Sequence, residues 1–334
     1  MPAAAQAASR SSEALTAHTP RVHRALASVL LALVCALAVA GSAAGAHERT
    51  PSLAALLARH VPVLVLHPDE SLEPVPVDGF LADSDLTRKT ASGWEIVPGP
   101  LPAGGADLRL DQRLCTSFDG LAATPCYVAT EAVHGAAPVV YGAVFRTRDR
   151  IDLQYWLWYP YDDFSPVYPA NHFWQVHEGD WEAVSVILDR AGTPLTVAYS
   201  QHAKGRRRAW ARAPKQGLRP LVYVGLGSHA NFPSPGEHPL LPPAVDQATI
   251  NVMRAYGIAV PADHTAKGAV IRPTLVRVTS RTPSWMTFAG AWGESGYIHI
   301  PGRDPLVAGA GPRGPAFHAQ WQRPVREEMS WPRG

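Results

Sequence analysis

This sequence has little charge of either sign in excess. It carries 30 Lys and Arg against 28 Asp and Glu, a formal +2. Removing residues 1–46 takes away Arg10, Arg21, Arg24 and Glu13 and leaves a neutral chain. Nothing in that balance points to a nucleic-acid partner. A Ser/Gly-rich linker, a charge block and an internal repeat are also lacking, so residues 47–334 read as one domain. The absence of an evident exposed apolar repeat favours a monomer.

A comfortable membrane span is missing as well. The uncharged run "ALASVLLALVCALAVAG" from Ala25 is short and rich in small residues, whereas a span needs ~20 predominantly apolar residues. Preceded by arginines and followed by "SAAGA", with an A-x-A site at Ala44, Gly45 and Ala46, it reads as a secretory signal peptide. Cleavage is expected after Ala46, giving a secreted, extracellular protein; a retained single-pass anchor is the alternative. Leu33 and Val34 before Cys35 do not form a lipoprotein cleavage box, which argues against a lipid anchor. Cysteine is scarce, with three in the chain, and Cys35 leaves with the signal. Cys115 and Cys126, in "CTSFDGLAATPC", are then expected to form one disulfide in an oxidising compartment. Two free buried thiols are the alternative.

Helix signals are few. "SLAALLAR" and "VDQATINVMRAYG", the latter stopped by Gly257, are the candidates. Short apolar or alternating segments punctuated by turns dominate, the pattern of a mostly β, single-domain β-sandwich or jelly roll with a few short helices. The clearest strands are expected at Val61–Leu66, Pro138–Arg146, Ile151–Tyr159, Glu182–Leu188, Thr196–Ser200, Pro220–Leu226 and Thr274–Thr279. In "YWLWY", Trp156 and Trp158 share one face and Tyr155 and Leu157 the other, which suits either a packed core or a sugar-stacking surface.

Within "VHEGDWEAVSVIL", His177, Glu178, Asp180 and Glu182 crowd against the start of an apolar strand. The period of two puts Asp180 and Glu182 on one face and Trp181 on the other. His177 is expected to fold back toward them from a preceding loop, and Asp162 or Asp163, ending the neighbouring strand in "YPYDD", to supply a further oxygen. Carboxylates with one imidazole suit a hard or borderline divalent cation, Ca²⁺ or Mg²⁺ ahead of Mn²⁺ or Zn²⁺. Solvated acids with a hydrogen-bonded His, or a carboxylate pair working as acid and base, fit the same spacing.

In order along the chain, "VPVLVLHPDESLEPVPVDGFL", "YWLWYPYDD", "VHEGDWEAVSVIL", "YSQH", "GLGSHANFP", "FAGAWGESG" and "GPRGPAFHAQW" resemble the vacuolar protein sorting-associated protein 62 family. A more distant similarity joins "WYPYDD" and "VHEGDWE" to the necrosis- and ethylene-inducing-like proteins, secreted cytolysins with a lectin-like β-sandwich and a G-H-R-H-D-W-E heptapeptide. That resemblance implies a metal shell of His177, Asp180, Glu182 and one of Asp162 and Asp163, and recognition of sphingolipid head-group sugars. Val176, Glu178 and Gly179 depart from the heptapeptide. The loss of its second His at Gly179 puts any toxic activity in doubt.

Other residues frame the choice of function. His202 in "YSQH" and His229 in "GLGSHANFP" are candidate acid-base partners if the metal serves catalysis, while Gly225, Gly227, His229 and Asn231 also read as a tight loop. Arg206, Arg207, Arg208 and Trp210, in "KGRRRAWAR", read as a solvated hairpin loop able to contact lipid head groups or phosphates at a membrane surface. Asp69 and Glu70 read as a capped turn after a strand. The functional expectation is metal-assisted recognition of a glycan or lipid head group, with a cytolysin-like effector as one form of it. A metal-dependent hydrolase of a phosphoester or glycan, and a scaffold stabilised by its cation, are the alternatives.

Overall fold

Strands covered on both sides carry continuous apolar runs instead of an alternating pattern, and the two longest strands among the described residues are of that kind. The computed structural model describes residues 51–115, 124–135, 137–164, 174–202, 204–240, 262–294, 297–299, 306–307 and 311–322, with a few isolated positions between them. The expected signal peptide lies outside these residues, as does most of the helix expected around residues 245–257. Among the described residues no helix is long and apolar enough to cross a membrane.

In chain order the strands are β1 (Val63–Val65), β2 (Ser84–Thr90), β3 (Gly93–Ile96), β4 (Leu108–Gln112), β5 (Val139–Arg146), β6 (Arg150–Phe164), β7 (Trp174–Asp189), β8 (Pro194–Gln201), β9 (Lys204–Ala209), β10 (Lys215–Gln216), β11 (Arg219–Val224), β12 (Asn231–Phe232), β13 (Gly236–Pro239), β14 (Ala262–Thr265), β15 (Val270–Ile271), β16 (Thr274–Arg277), β17 (Ala291–Trp292), β18 (Tyr297–His299) and β19 (Leu306–Val307). Short helices are α1 (Leu53–Arg59), α2 (Val77–Ala82), α3 (Thr124–His134) and α4 (Ala319–Gln322). All seven expected strands are present, as is the N-terminal helix, whose Ser52 caps it by accepting from the Ala55 amide at 3.1 Å. The cap satisfies one of the amides a helix start leaves open.

The fold is a β-sandwich with a third layer. Its large sheet runs β16-β5-β6-β7, and β7 then pairs β18 near its start and β8, followed by β9, near its end. A second sheet, β10-β11-β1-β15 with β12 beside β11, covers one face, and a β17-β4-β2-β3 sheet belongs to the other side. Between the large and the second sheet lies a core of Leu64, Leu153, Tyr155, Leu157, Tyr159, Val184, Val186, Tyr199, Val222 and Val224. The opposite face holds Trp156, Trp158, Trp181, Trp285, Phe288 and Trp292 with Leu108 and Leu110. The tryptophans of "YWLWY" are therefore core, not a sugar platform. Trp158 sits with ring centroids 4.9 Å from Trp181, 5.0 Å from Trp292 and 5.0 Å from Phe80. Each such large apolar side chain contributes roughly 1.5–3 kcal/mol by leaving water.

Two sequence readings need correction. His177 is not in a loop, because β7 runs unbroken through the acidic motif and pairs His177 with Asp162 and Asp180 with Tyr159 across the hairpin. Gly179 makes this possible: its φ is +63°, a backbone state glycine adopts at no steric cost. Likewise Lys204–Ala209 is no hairpin loop but the strand β9, paired along β8. Trp210 is half-buried there, edge-on to His60 at 5.6 Å with Lys215 Nζ 5.0 Å from its ring centre, so it is held inward and not presented as an interfacial anchor.

A Cβ on Gly179 would come within 2.2 Å of the Trp292 carbonyl oxygen and 2.4 Å of the Trp158 ring, whereas one on Gly217, at φ +62°, would meet nothing within 4 Å. Gly179→Ala is therefore expected to lower unfolding free energy by on the order of 3 kcal/mol, and Gly217→Ala by about 1 kcal/mol, the strain of a non-glycine left-handed residue alone. Urea unfolding midpoints of the two variants measure the difference.

Candidate metal centre

The site forms where the β6–β7 hairpin passes under the loop between β11 and β12. That loop is tight: the His229 amide donates to the Gly225 carbonyl at 3.0 Å and the Gly225 amide to the Ala230 carbonyl at 2.8 Å. Gly227, at φ +72°, lets it approach Asp163 so closely that a Cβ would lie 2.5 Å from a carboxylate oxygen. His229 itself is held at φ +50°. Its ring is fully buried, stacked on Tyr159 at 3.8 Å and 3°. The loop reading of "GLGSHANFP" is thus right for the backbone, and its His side chain is aimed into the site.

Ligating atoms of Asp162, Asp180 and His229, all three residues buried, lie within 4.8 Å of one another. His229 Nδ1 is 3.0 Å from Asp180 Oδ2. Its Nε2 has no hydrogen-bond partner but stands 3.9 Å from Glu70 Oε1, close enough for ion pairing. Burial opposes a charged imidazole, yet Asp180 and Glu70 outweigh it and raise the His229 pKa well above its ordinary value. Burial similarly opposes ionisation of Glu70, but His229 and the amides of Gly227 and Leu72, at 2.8 and 2.9 Å, win and lower its pKa. Asp162 goes the other way: burial, then the charge of Asp180, push its pKa well up. Two carboxylates in a dry pocket require a proton or a cation between them.

The other candidates fall around this group. His177 Nδ1 donates to the Gly179 carbonyl at 2.8 Å, and its Nε2 lies 3.5 Å from Asp162 Oδ2, on the edge of the cluster. Asp180 and Glu182 face the same side, as the period of two requires. Glu182 is already engaged, accepting a short hydrogen bond from Ser200 Oγ and one of 3.2 Å from Asn231 Nδ2; burial and Asp180 raise its pKa well above normal. Asp163 turns away from Asp162 and accepts from Thr124 Oγ1 at 2.6 Å. His202 does not join the cluster. Its Nε2 lies 2.9 Å from Asp263 Oδ2, and Ser228 donates to the other Asp263 oxygen at 2.6 Å. Glu178, which stands where the heptapeptide has Arg, is a strut: it accepts from Tyr127 Oη at 2.5 Å and from the Glu294 amide at 2.8 Å, and burial lifts its pKa to about 7. Cys115 and Cys126 are joined as a disulfide.

Glu70, Asp263 and Asn231 were not legible as site residues. Glu70 reads as a turn acid, and the "HPDE" turn does form, its Glu70 amide donating to the His67 carbonyl at 3.0 Å. Only the parallel pairing of β1 with β11, which sets that turn beside the "GLGSHANFP" loop, gives its carboxylate a second role.

The model of the family described as vacuolar protein sorting-associated protein 62 matches residues 28–299. The chain belongs to that family. Two yeast proteins of Saccharomyces cerevisiae are similar to it: the putative vacuolar protein sorting-associated protein TDA6, 26% identical over 211 residues, and vacuolar protein sorting-associated protein 62, 23% identical over 235. These matches cover 54% and 58% of this chain but only 44% and 46% of the relatives, so the chain spans less than half of either. Among solved structures, "Toxin fold as basis for microbial attack and plant defense" matches at 14% identity and TM-score 0.38, covering 82% of this chain and 90% of the other. "NLPPya in complex with glucosamine" matches at 14% identity and TM-score 0.38, covering 84% and 90%. A likeness of that size leaves the site to be read from its own residues.

One half-buried acid outside the cluster gives a pH test. Burial raises Glu131, on α3, to about 8, and its Oε1 has no hydrogen-bond partner. A folded-state pKa above the unfolded one means the native state binds the extra proton, so this contribution is complete below the unfolded pKa of about 4.3 and is lost as pH rises through about 8. Glu131→Gln should therefore be more stable than wild type above that pH by up to a few kcal/mol, on the order of 3, with the gap closing below pH ~4. Denaturant titrations across that range read the difference; a gap that grows toward acid would contradict it.

Proposed function

We propose that Asp162, Asp180 and His229 hold a divalent cation and that the protein is an exported receptor for a glycan or lipid head group, which the cation engages. The observation that carries the reading is the convergence of three buried ligating groups within 4.8 Å. Oxygen donors with one imidazole suit Ca²⁺, Mg²⁺ or Mn²⁺. Glu70 beside Nε2 of an imidazole whose Nδ1 faces Asp180 is the arrangement by which an outer carboxylate orients a ligating histidine. His177 Nε2, beside Asp162, is a further available donor. When bound, such an ion supplies a positive centre to which sugar hydroxyls or phosphoryl oxygens coordinate.

Support for the ligand class is the similarity of "VHEGDWE" to the heptapeptide of the cytolysins, which keeps the His, Asp and Glu positions at His177, Asp180 and Glu182. Arg207 and Arg208 on β9 offer positive charge to an anionic surface. Sedimentation of the protein with vesicles containing glycosylated sphingolipid is expected to require added Ca²⁺ or Mg²⁺ and to fall at least tenfold in Asp180→Ala. Binding that survives a chelator, or that Asp180→Ala leaves intact while the fold is intact, sinks the proposal.

A second reading, hydrolysis of a phosphoester or glycoside, is favoured by one observation: buried Asp263 holds His202 Nε2 at 2.9 Å, which fixes its tautomer and leaves Nδ1 as a base. Turnover of a phosphoester and glycoside panel with saturating metal, abolished in His202→Gln, would replace recognition by catalysis. A panel that stays negative removes this reading.

A further inference from the structure

A cavity of about 180 Å³ lies between α2 and α3. None of its lining residues belongs to the Asp162, Asp180 and His229 group. Its walls are apolar where Val75, Pro76, Phe80, Tyr127 and Pro160 contribute, and two carboxylates, Asp78 and Glu131, line it with no Lys or Arg. His134, the one basic side chain there, is already taken, its Nε2 lying 2.6 Å from Asp83 Oδ2. Glu131 enters from α3, and its Oε1 is buried with no hydrogen-bond partner.

An orphaned buried acceptor costs about 1–3 kcal/mol unless something donates to it. Apolar walls exclude a strongly hydrated metal ion, because such ions ask for several oxygen ligands. Two acids without a Lys or Arg offer no cation to a carboxylate or phosphate ligand. What complements all three features is a compact apolar body ending in a cationic donor. We propose that this cavity binds a small organic ammonium ion, its ammonium donating to Glu131 and its apolar body packed among Val75, Phe80, Tyr127 and Pro160. Nothing in the proposal rests on the metal reading.

The test is a titration of the full chain, in the presence of a chelator, with benzylammonium chloride and separately with benzyl alcohol, which has nearly the same shape without the charge. Wild type should bind benzylammonium saturably, one per chain and at least tenfold more tightly than the alcohol. Glu131→Gln, close in shape and able to fold, should lose at least tenfold in benzylammonium affinity and little for the alcohol. Thr130→Leu, which fills the cavity from its α3 wall, should weaken both probes together. Equal affinities for amine and alcohol, undiminished amine binding in Glu131→Gln, or no saturable binding of benzylammonium would each overturn the proposal.

Discussion

The structure depends on one constraint: the β6–β7 hairpin is covered on both faces. Paired from Arg150 with Asp189 to Phe164 with Gln175, it puts tyrosines and aliphatic residues into one core and tryptophans into another. Its polar end cannot escape the same burial. Asp162, Glu178, Asp180 and Glu182 are each less than a tenth exposed, and ionised carboxylates in such surroundings are unfavourable by several kcal/mol each unless paired. The remainder of the fold can be understood as the answer to that difficulty.

Each carboxylate receives a different answer. Glu178 is met by a tyrosine hydroxyl and a backbone amide, Glu182 by Ser200 and Asn231, and Asp163 by Thr124. Asp180 is met by His229, which Glu70 supports from behind. Asp162 alone among these is left with the weakest compensation, a His177 nitrogen at 3.5 Å, next to the Asp180 charge. On the proposed reading, a divalent cation would neutralise Asp162 and Asp180 together.

The sequence carried more of the fold than of the site. Strand positions follow from apolar runs and from the alternation that separates Tyr155 from Trp156, and those signals are local. The acidic motif was visible for the same reason, since His177, Asp180 and Glu182 are close in the chain. His229 and Glu70 are 49 and 110 residues from Asp180 along the chain, and only the β1–β11 pairing and the left-handed backbone at Gly227 and His229 bring them in. No period or spacing encodes that meeting. The reading of His177 as a loop residue failed on a single glycine: Gly179 at φ +63° lets the strand carry on where the sequence suggested it would begin.

The measurement that bears most directly on the central claim is elemental analysis of the purified protein. It should be joined to calorimetric titration of metal-stripped wild type and an Asp162→Asn, Asp180→Asn variant with calcium, magnesium and manganese. One divalent ion per wild-type chain, released by the chelator and absent from a folded variant, is the predicted result. A wild-type chain that takes up no stoichiometric ion under any of these conditions, or a variant that binds as wild type does, would show that the buried carboxylates are neutralised by protons and not by a metal.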